Sequence, residues 1–229
     1  MAKFFNPENA FFTTINKIVD TIWLSLLWTI CSLPLFTIGP ASCGLYYATV
    51  KVTRRNRSYV TKEFFKSFKQ NFRTGAPASI IFLVFAWVMW VDYQYSKALS
   101  DTGSTMGNVY LIVFVAGAVI EAFLLMWVFP LLSRFTVTLP QLIKSTLAIS
   151  AKHFVRTFIL ILIAIFWILF IRVALSAEEL FSLLTFVPFV APGVTALIRS
   201  FIIEPVLKKY QGESAGDPEE TGIDEWYRE

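Results

Sequence analysis

Hydrophobic residues in this chain come in blocks of about twenty, separated by shorter polar stretches. A helix needs about 20 mainly apolar residues to cross the hydrocarbon layer of a bilayer, whereas a water-soluble fold shows short amphipathic periods. The pattern therefore predicts an all-α, polytopic transmembrane helical bundle with five spans. The five blocks are residues 18–38, 75–95, 109–132, 155–175 and 180–203.

Proline and glycine interrupt two of these blocks. Pro34 and Gly39 predict a helix break in the first block, and Pro188, Pro192 and Gly193 predict another in the last, because proline removes a helical hydrogen bond and clashes with the preceding turn. Broken helices build substrate sites in transporters, although spanning helices also tolerate proline for packing reasons.

The break in the first block leaves the number of crossings open. In one interpretation residues 18–38 form one span. In the other, a helix ends near residue 33 and a short return helix follows through residues 41–52, which makes six crossings. The five-span interpretation places the N-terminus outside, and the six-span interpretation places it inside.

Charge between the blocks predicts the orientation. Residues 51–73 carry eight basic groups and one acid, and residues 134–156 carry four basic groups and no acid. The connections 98–107 and 176–179 carry three acids and no basic group between them. Since lysine and arginine are retained on the cytoplasmic side, both basic loops and the C-terminus are expected to be cytoplasmic.

The end of the chain differs from the rest. We expect residues 1–205 to form the transmembrane helical domain and residues 206–229 to form an acidic tail. The tail has few apolar residues with which to form a core, so the sequence predicts a disordered segment.

Composition supports a membrane location and argues against nucleic-acid binding. The chain has 229 residues, of which 56% are hydrophobic and 16% are charged, whereas a soluble domain carries about 25% charged residues. The formal charge of +4 comes from basic residues spread between hydrophobic blocks, not gathered on one soluble face as a polynucleotide site requires. The lipid bilayer is the expected partner of the apolar surface.

Residues 62–73 form the strongest amphipathic pattern. At helical spacing, phenylalanines fall on one face and basic residues on the other, as in a helix that lies in the membrane interface. The pattern predicts a lipid-surface helix or a docking helix for a partner subunit, and the two roles are compatible. Its residues are Lys62, Phe64, Phe65, Lys66, Phe68, Lys69, Phe72 and Arg73.

Glu121 is the candidate polar site inside the membrane, because it lies near the centre of the third block. A carboxylate at that depth is costly, so such residues face the bundle interior or a watery path. The alternative is a protonated glutamate that bonds to a neighbouring helix and serves packing alone. Arg199, near the cytoplasmic end of the last block, is expected to extend its side chain to the interface.

Signatures of catalysis and of cofactor or metal binding are missing from the sequence. No HExxH, GxSxG, P-loop or GxGxxG occurs, and these are the motifs that place reactive groups in common enzymes. A zinc site needs three or four ligands, and the chain offers two cysteines, Cys31 and Cys43, and one histidine, His153. We therefore expect no catalytic residue, no cofactor and no metal.

Several aromatic and apolar strings resemble one bacterial family. They are Phe5-Asn6-Pro7, Leu-Leu-Trp-Thr-Ile-Cys-Ser-Leu-Pro at 26–34, Thr-Ile-Gly-Pro-Ala-Ser at 37–42, Leu-Tyr-Tyr at 45–47, Phe-Phe-Lys-Ser-Phe-Lys-Gln-Asn-Phe at 64–72 and Phe-Pro-Leu-Leu-Ser-Arg-Phe at 129–135. These strings are similar to those of the YesL family of bacterial integral membrane proteins, a domain of unknown function. The resemblance runs from residue 4 to about residue 205 and omits the acidic tail.

The resemblance implies a location in the bacterial cell membrane and an association with carbohydrate uptake, because family members are typically encoded beside components of ATP-driven sugar importers. It gives no residue a role. Neither basic loop matches the coupling loop of an importer permease, so the resemblance implies an accessory subunit whose partners are importer membrane subunits. The alternative is a small stand-alone transporter or channel that uses Glu121 and the proline-containing last block.

Overall fold

The computed structural model describes residues 10–53, 59–102, 104–176 and 187–214, and these residues form eight α-helices and no strand. The prediction of an all-α membrane bundle is therefore confirmed. The helices are α1 (Ala10–Cys31), α2 (Ile38–Ala48), α3 (Val60–Gln70), α4 (Phe72–Asp101), α5 (Met106–Leu132), α6 (Leu139–Lys152), α7 (Phe154–Ser176) and α8 (Val187–Ser214).

Within the described ranges, four helices are long and apolar enough to cross a membrane: α4, α5, α7 and the Val187–Tyr210 part of α8. Their outward faces remain apolar; α7, for example, buries only Thr157, Leu160 and Ala174. Because lone apolar residues are normal on soluble surfaces but whole apolar helix faces are not, the chain is a membrane-type helical protein with several passes. The predicted count of five or six crossings stays a prediction.

The first hydrophobic block is not one helix. Helix α1 ends at Cys31, Pro34 precedes a short 3₁₀ turn over Leu35–Thr37, and α2 then begins at Ile38. The break predicted at Pro34 is thus present within the first hydrophobic block. Helix α2 is almost wholly buried among the other helices, and a π-helical turn over Thr49–Thr53 continues it.

Gly39 does not break a helix but allows one to approach another closely. It lies in the first turn of α2, where its N–H donates to Ser79 Oγ of α4 at 2.7 Å. A side chain at this position would collide with Ser79 and with the Gly75 carbonyl. The glycine at this position therefore lets α2 cross α4 backbone to backbone, as small residues do between membrane helices.

The amphipathic helix predicted over residues 62–73 is shorter at its C-terminal end. Helix α3 ends at Gln70, Asn71 makes the turn, and Phe72 and Arg73 begin the next helix, α4. The Asn71 side chain donates to the Ser67 carbonyl at 2.9 Å, so a polar side chain occupies a backbone acceptor of the last turn. Phe72 and Arg73 therefore belong to a different helix from the other six residues of the pattern.

The last helix differs from prediction at both ends and in its middle. Residues 180–186 of the predicted fifth block lie outside the described residues. Helix α8 runs without a break through Pro192 and Gly193, so the break expected there is wrong. The helix also continues to Ser214, and Val206 and Leu207 are buried in the core. The boundary predicted after residue 205 therefore falls inside a helix; residues 215–229 lie outside the described residues.

The larger hydrophobic core joins the C-terminal part of α5 to the neighbouring helices. Trp127, Val128 and Leu131 of α5 pack there with Leu160 of α7 and Ile203 of α8, together with buried residues of α2, α4 and α6. A second cluster joins α1, α2, α3 and α8 around Leu24 and Phe64. Through these two clusters α2 contacts most of the other helices.

Candidate functional site

Helix α8 continues through Pro192 because α1 supplies the hydrogen bond that proline removes. Pro192 has no N–H, so the carbonyl oxygen of Pro188, four residues earlier, lacks its helical donor. The Thr29 hydroxyl of α1 donates to that oxygen at 2.8 Å. Serine and threonine of neighbouring helices satisfy freed carbonyls in this way inside membranes, which explains why the predicted break is absent.

Gly193 is the point of close approach between α1 and α8. Its N–H donates to Ser25 Oγ at 2.8 Å, and Ser25 in turn donates to the Thr21 carbonyl at 2.9 Å. A Cβ at this position would lie 2.6 Å from Ser25 Oγ and would also collide with the Thr21 carbonyl oxygen. Only glycine fits without moving the two helices apart.

A similar repair occurs in α5 and involves Arg199. Pro130 leaves the Met126 carbonyl without its helical donor, and the Arg199 guanidinium of α8 donates to that oxygen at 2.6 Å. The expectation that Arg199 extends to the interface is therefore wrong, because its head group is held between α5 and α8. The sequence alone predicts that Pro130 leaves the Met126 carbonyl without a donor, but it does not predict that Arg199 supplies one.

A buried ionic cluster lies near Arg199. Arg134, two residues after the end of α5, forms an ion pair with Glu204 of α8, and both side chains are almost fully buried. The hydroxyl of Tyr46, from α2, donates to the other carboxylate oxygen of Glu204 at 3.3 Å. Both oxygens of Glu204 are thus engaged, and α2, α8 and the turn after α5 meet at one carboxylate. Sequence reasoning missed Arg134 and Tyr46, whose proximity depends entirely on the fold.

A cavity of about 520 Å³ opens between α1, α2, α5 and α8. Its walls are mainly apolar and include Pro188 and Pro192 from the predicted break, together with Trp28 and Tyr46. Arg199 is the one charged side chain among the described residues that line it. The cavity has the size and the mixture of apolar walls and few polar groups that are typical of small-molecule sites.

Glu121 lies elsewhere. It lines a separate, apolar crevice of about 130 Å³ between α4, α5 and α6, beside Phe82 and Leu142. Within the described parts of the chain, no hydrogen bond or ion pair joins its half-buried side chain to a neighbour. The two elements of the transporter alternative, Glu121 and the prolines of α8, are therefore not brought to one cavity.

Helix α3 is fixed to the core through its aromatic face. Phe64 is fully buried, and its carbonyl oxygen would lie 2.8 Å from a Cβ at Gly44 of α2, so the glycine allows α2 and α3 to pack closely. Phe65 and Phe68 are half-buried against the same cluster. These phenylalanines, predicted as partner or lipid contacts, pack largely within the chain.

An ion pair joins α3 to the turn that follows α2. Lys51 Nζ lies 3.2 Å from Glu63 Oε2, and both side chains are at most 5% exposed. Glu63 is the single acid of the basic segment 51–73. On the opposite side of α3, Lys62, Lys66 and Lys69 are exposed. The helix therefore presents a basic face, here defined as these three lysines, from a fixed position.

His153 separates α6 from α7 and contacts the end of α8. Its Nε2 lies 3.4 Å from the Tyr210 hydroxyl. Burial, and then the positive charges of Arg156, Lys152 and Lys209, hold the pKa of His153 below its ordinary value of 6.5. The described residues contain no group of three or more histidine, cysteine or acidic side chains arranged to hold a metal ion.

Comparison with known proteins finds two similarities, each over part of the chain. A family model described as "Protein of unknown function, DUF624" matches residues 21–93. The uncharacterized protein YesL of Bacillus subtilis (strain 168) is 24% identical over 140 residues, which cover 61% of this chain and 64% of that protein. Both matches support the expected similarity to YesL-like proteins. No solved structure matches this chain.

The match to the family model covers part of the architecture just described. Residues 21–93 include the second half of α1, all of α2 and α3, and most of α4. The Lys51–Glu63 ion pair and the basic face lie within the matched region, whereas Arg134, Arg199 and Glu204 lie beyond it. The alignment with the Bacillus protein spans just under two thirds of that relative's length.

Proposed function

We propose that this chain is a non-enzymatic accessory subunit of an ATP-driven carbohydrate importer in the bacterial cell membrane, with its C-terminus in the cytoplasm. The observation that carries the proposal is the basic face of α3, held outward on a helix that is fixed to the core. The carbohydrate importer as partner comes from the family resemblance, in which the encoding genes are neighbours.

The basic face is preorganised for a contact. Lys51–Glu63 and Phe64 anchor α3 on one side, and the Trp23 indole N–H of α1 donates to Thr61 Oγ1 at 2.9 Å at the beginning of the helix. A surface that is already ordered loses little conformational freedom on binding, which favours affinity. Three lysines on one exposed face attract an acidic surface and accelerate its docking.

Purification in mild detergent tests the proposal. The full chain should recover importer membrane subunits, identified by mass spectrometry. Triple charge reversal of the basic face, Lys62→Glu, Lys66→Glu and Lys69→Glu, should lower that recovery at least about tenfold, because like charges across an interface are repulsive. The matched control is Lys144→Glu on α6, an exposed lysine of the other basic loop, which should leave recovery unchanged. Absence of importer subunits from the unaltered sample would refute the proposal.

A stand-alone transporter is the second candidate, and the cavity lined by Pro188 and Pro192 favours it. Uptake of sugars into liposomes that contain only this protein would support it. In that case Ala191→Phe, which fills part of the cavity wall, should abolish uptake. Glu121→Gln should leave uptake unchanged, because Glu121 lines a different crevice.

A further inference from the structure

The cavity between α1, α2, α5 and α8 contains a positive charge, that of Arg199, and no acidic side chain among the described residues pairs with it. We propose that the cavity binds an amphipathic organic anion, whose oxyanion group pairs with Arg199 and whose apolar body lies against α8. This site is independent of the basic face of α3, so the failure of either proposal leaves the other standing.

The charge balance around Arg199 carries the first step. The buried cluster contains two guanidinium groups, those of Arg134 and Arg199, and one carboxylate, that of Glu204. Arg134 and Tyr46 engage the two oxygens of that carboxylate. The contacts of Arg199 in the described structure are the Met126 carbonyl at 2.6 Å and the more distant Leu125 carbonyl, neither of which neutralises a charge.

The described chain does not use the full hydrogen-bonding capacity of the Arg199 guanidinium, although the residue lines the cavity. The Nε atom of Arg199 is buried and has no hydrogen-bond partner among the described residues. Arginine stays protonated in proteins and presents donors in a planar fork that matches a carboxylate or phosphate. A buried charge is stable only when it is paired. An anion in the adjacent cavity would supply the opposite charge for the Arg199 guanidinium.

The shape of the cavity specifies the rest of the ligand. Val187, Ala191 and Thr195 repeat every four residues along α8 and lead to Arg199, which places one wall of the cavity along about 18 Å of helix at 1.5 Å per residue. Trp28 and Phe129 form apolar walls, and the Trp28 indole N–H is already bonded to Ser42. An elongated apolar chain with one oxyanion end fits these surfaces.

Equilibrium binding of radiolabelled dodecanoate to the full chain in phosphatidylcholine nanodiscs tests the proposal, with empty nanodiscs subtracted. We expect one saturable site per chain. Dodecanol, which has the same chain without the charge, should compete at least about tenfold less well than unlabelled dodecanoate. Competition by phosphatidate would assign the site to a bilayer lipid, and its failure to compete would assign it to a free acid; both outcomes retain the pairing with Arg199.

Two variants locate the site. Arg199→Met removes the charge, and Ala191→Phe occupies the cavity while keeping Arg199; each should weaken dodecanoate binding at least about tenfold. Arg172→Met, at an exposed arginine of α7, is the matched control and should bind like the unaltered chain. Absence of saturable binding, equal competition by dodecanol, or unchanged binding by folded Ala191→Phe would overturn the proposal.

Discussion

Replacing Glu63 by glutamine tests what holds α3 in place. Lys51 and Glu63 lie 3.2 Å apart and are at most 5% exposed. At that distance two unit charges attract by about 5 kcal/mol with an effective dielectric constant of 20. The variant removes this attraction and leaves the Lys51 ammonium buried without its partner. Breaking a buried pair from one side costs about 3–5 kcal/mol, and we expect a loss of that size.

The comparison with a double variant separates the ion pair from the shape of the site. Lys51→Met with Glu63→Leu removes both charges and retains apolar side chains of similar length. Since well-packed apolar residues commonly replace a buried pair without loss, the double variant should be within about 1 kcal/mol of the unaltered chain. Lys66→Met, at an exposed lysine of the same helix, is the control and should change stability by less than about 0.5 kcal/mol.

Unfolding by denaturant in detergent micelles gives the free energies, and amide hydrogen exchange of residues 60–70 reports whether α3 is the part that opens. In Glu63→Gln the exchange of this helix should accelerate more than that of α7. The reasoning is refuted if Glu63→Gln is as stable as the unaltered chain. It is refuted equally if the double variant loses as much stability as the single one.

Three further predictions concern the helix contacts and the histidine. Thr29→Val should lower the free energy of unfolding by about 1–2 kcal/mol, because the Pro188 carbonyl loses its donor, whereas Thr29→Ser should retain most of it; denaturant titration measures both. Gly193→Ala should cost about 1–3 kcal/mol through overpacking, whereas Gly117→Ala, which meets only a flexible methionine side chain, should be tolerated in the same titration. The lowered pKa of His153 means that the unfolded chain binds the proton more tightly than the folded chain does. Stability should therefore fall as the pH drops through 6.5. Thermal melts at pH 7.5 and 5.5 should show a smaller drop in melting temperature for His153→Gln than for the unaltered chain.

The sequence was informative where the physical cause is local. Block length and apolar content identified α4, α5 and α7 within a few residues, because a span is set by the thickness of the bilayer. Pro34 identified the end of the first helix, because proline removes a helical hydrogen bond and clashes with the preceding turn. The helical periodicity of residues 62–69 also matches α3, since it depends only on the helix itself, whereas Phe72 and Arg73 belong to α4.

The sequence was uninformative where a second helix decides the outcome. Pro192 gives the same local signal as Pro34. Helix α8 nevertheless continues, because Thr29 donates to the Pro188 carbonyl oxygen that Pro192 leaves without a donor. The phenylalanine face of α3 could not be assigned to lipid, partner or core without knowing that Gly44 lies opposite Phe64. Arg199 suits an interface position by sequence alone, and only the fold places it beside Met126.

The hydrogen bond from Thr29 to Pro188 joins the first and last helices of the described chain. As the ribosome releases the polypeptide, α8 emerges after the other described helices and carries a carbonyl oxygen whose helical donor Pro192 has removed. Satisfying that oxygen inside the membrane therefore depends on α1 remaining accessible until α8 has been made. A chain that lacks residues 10–31 should retain α8 but leave the Pro188 carbonyl without its Thr29 donor.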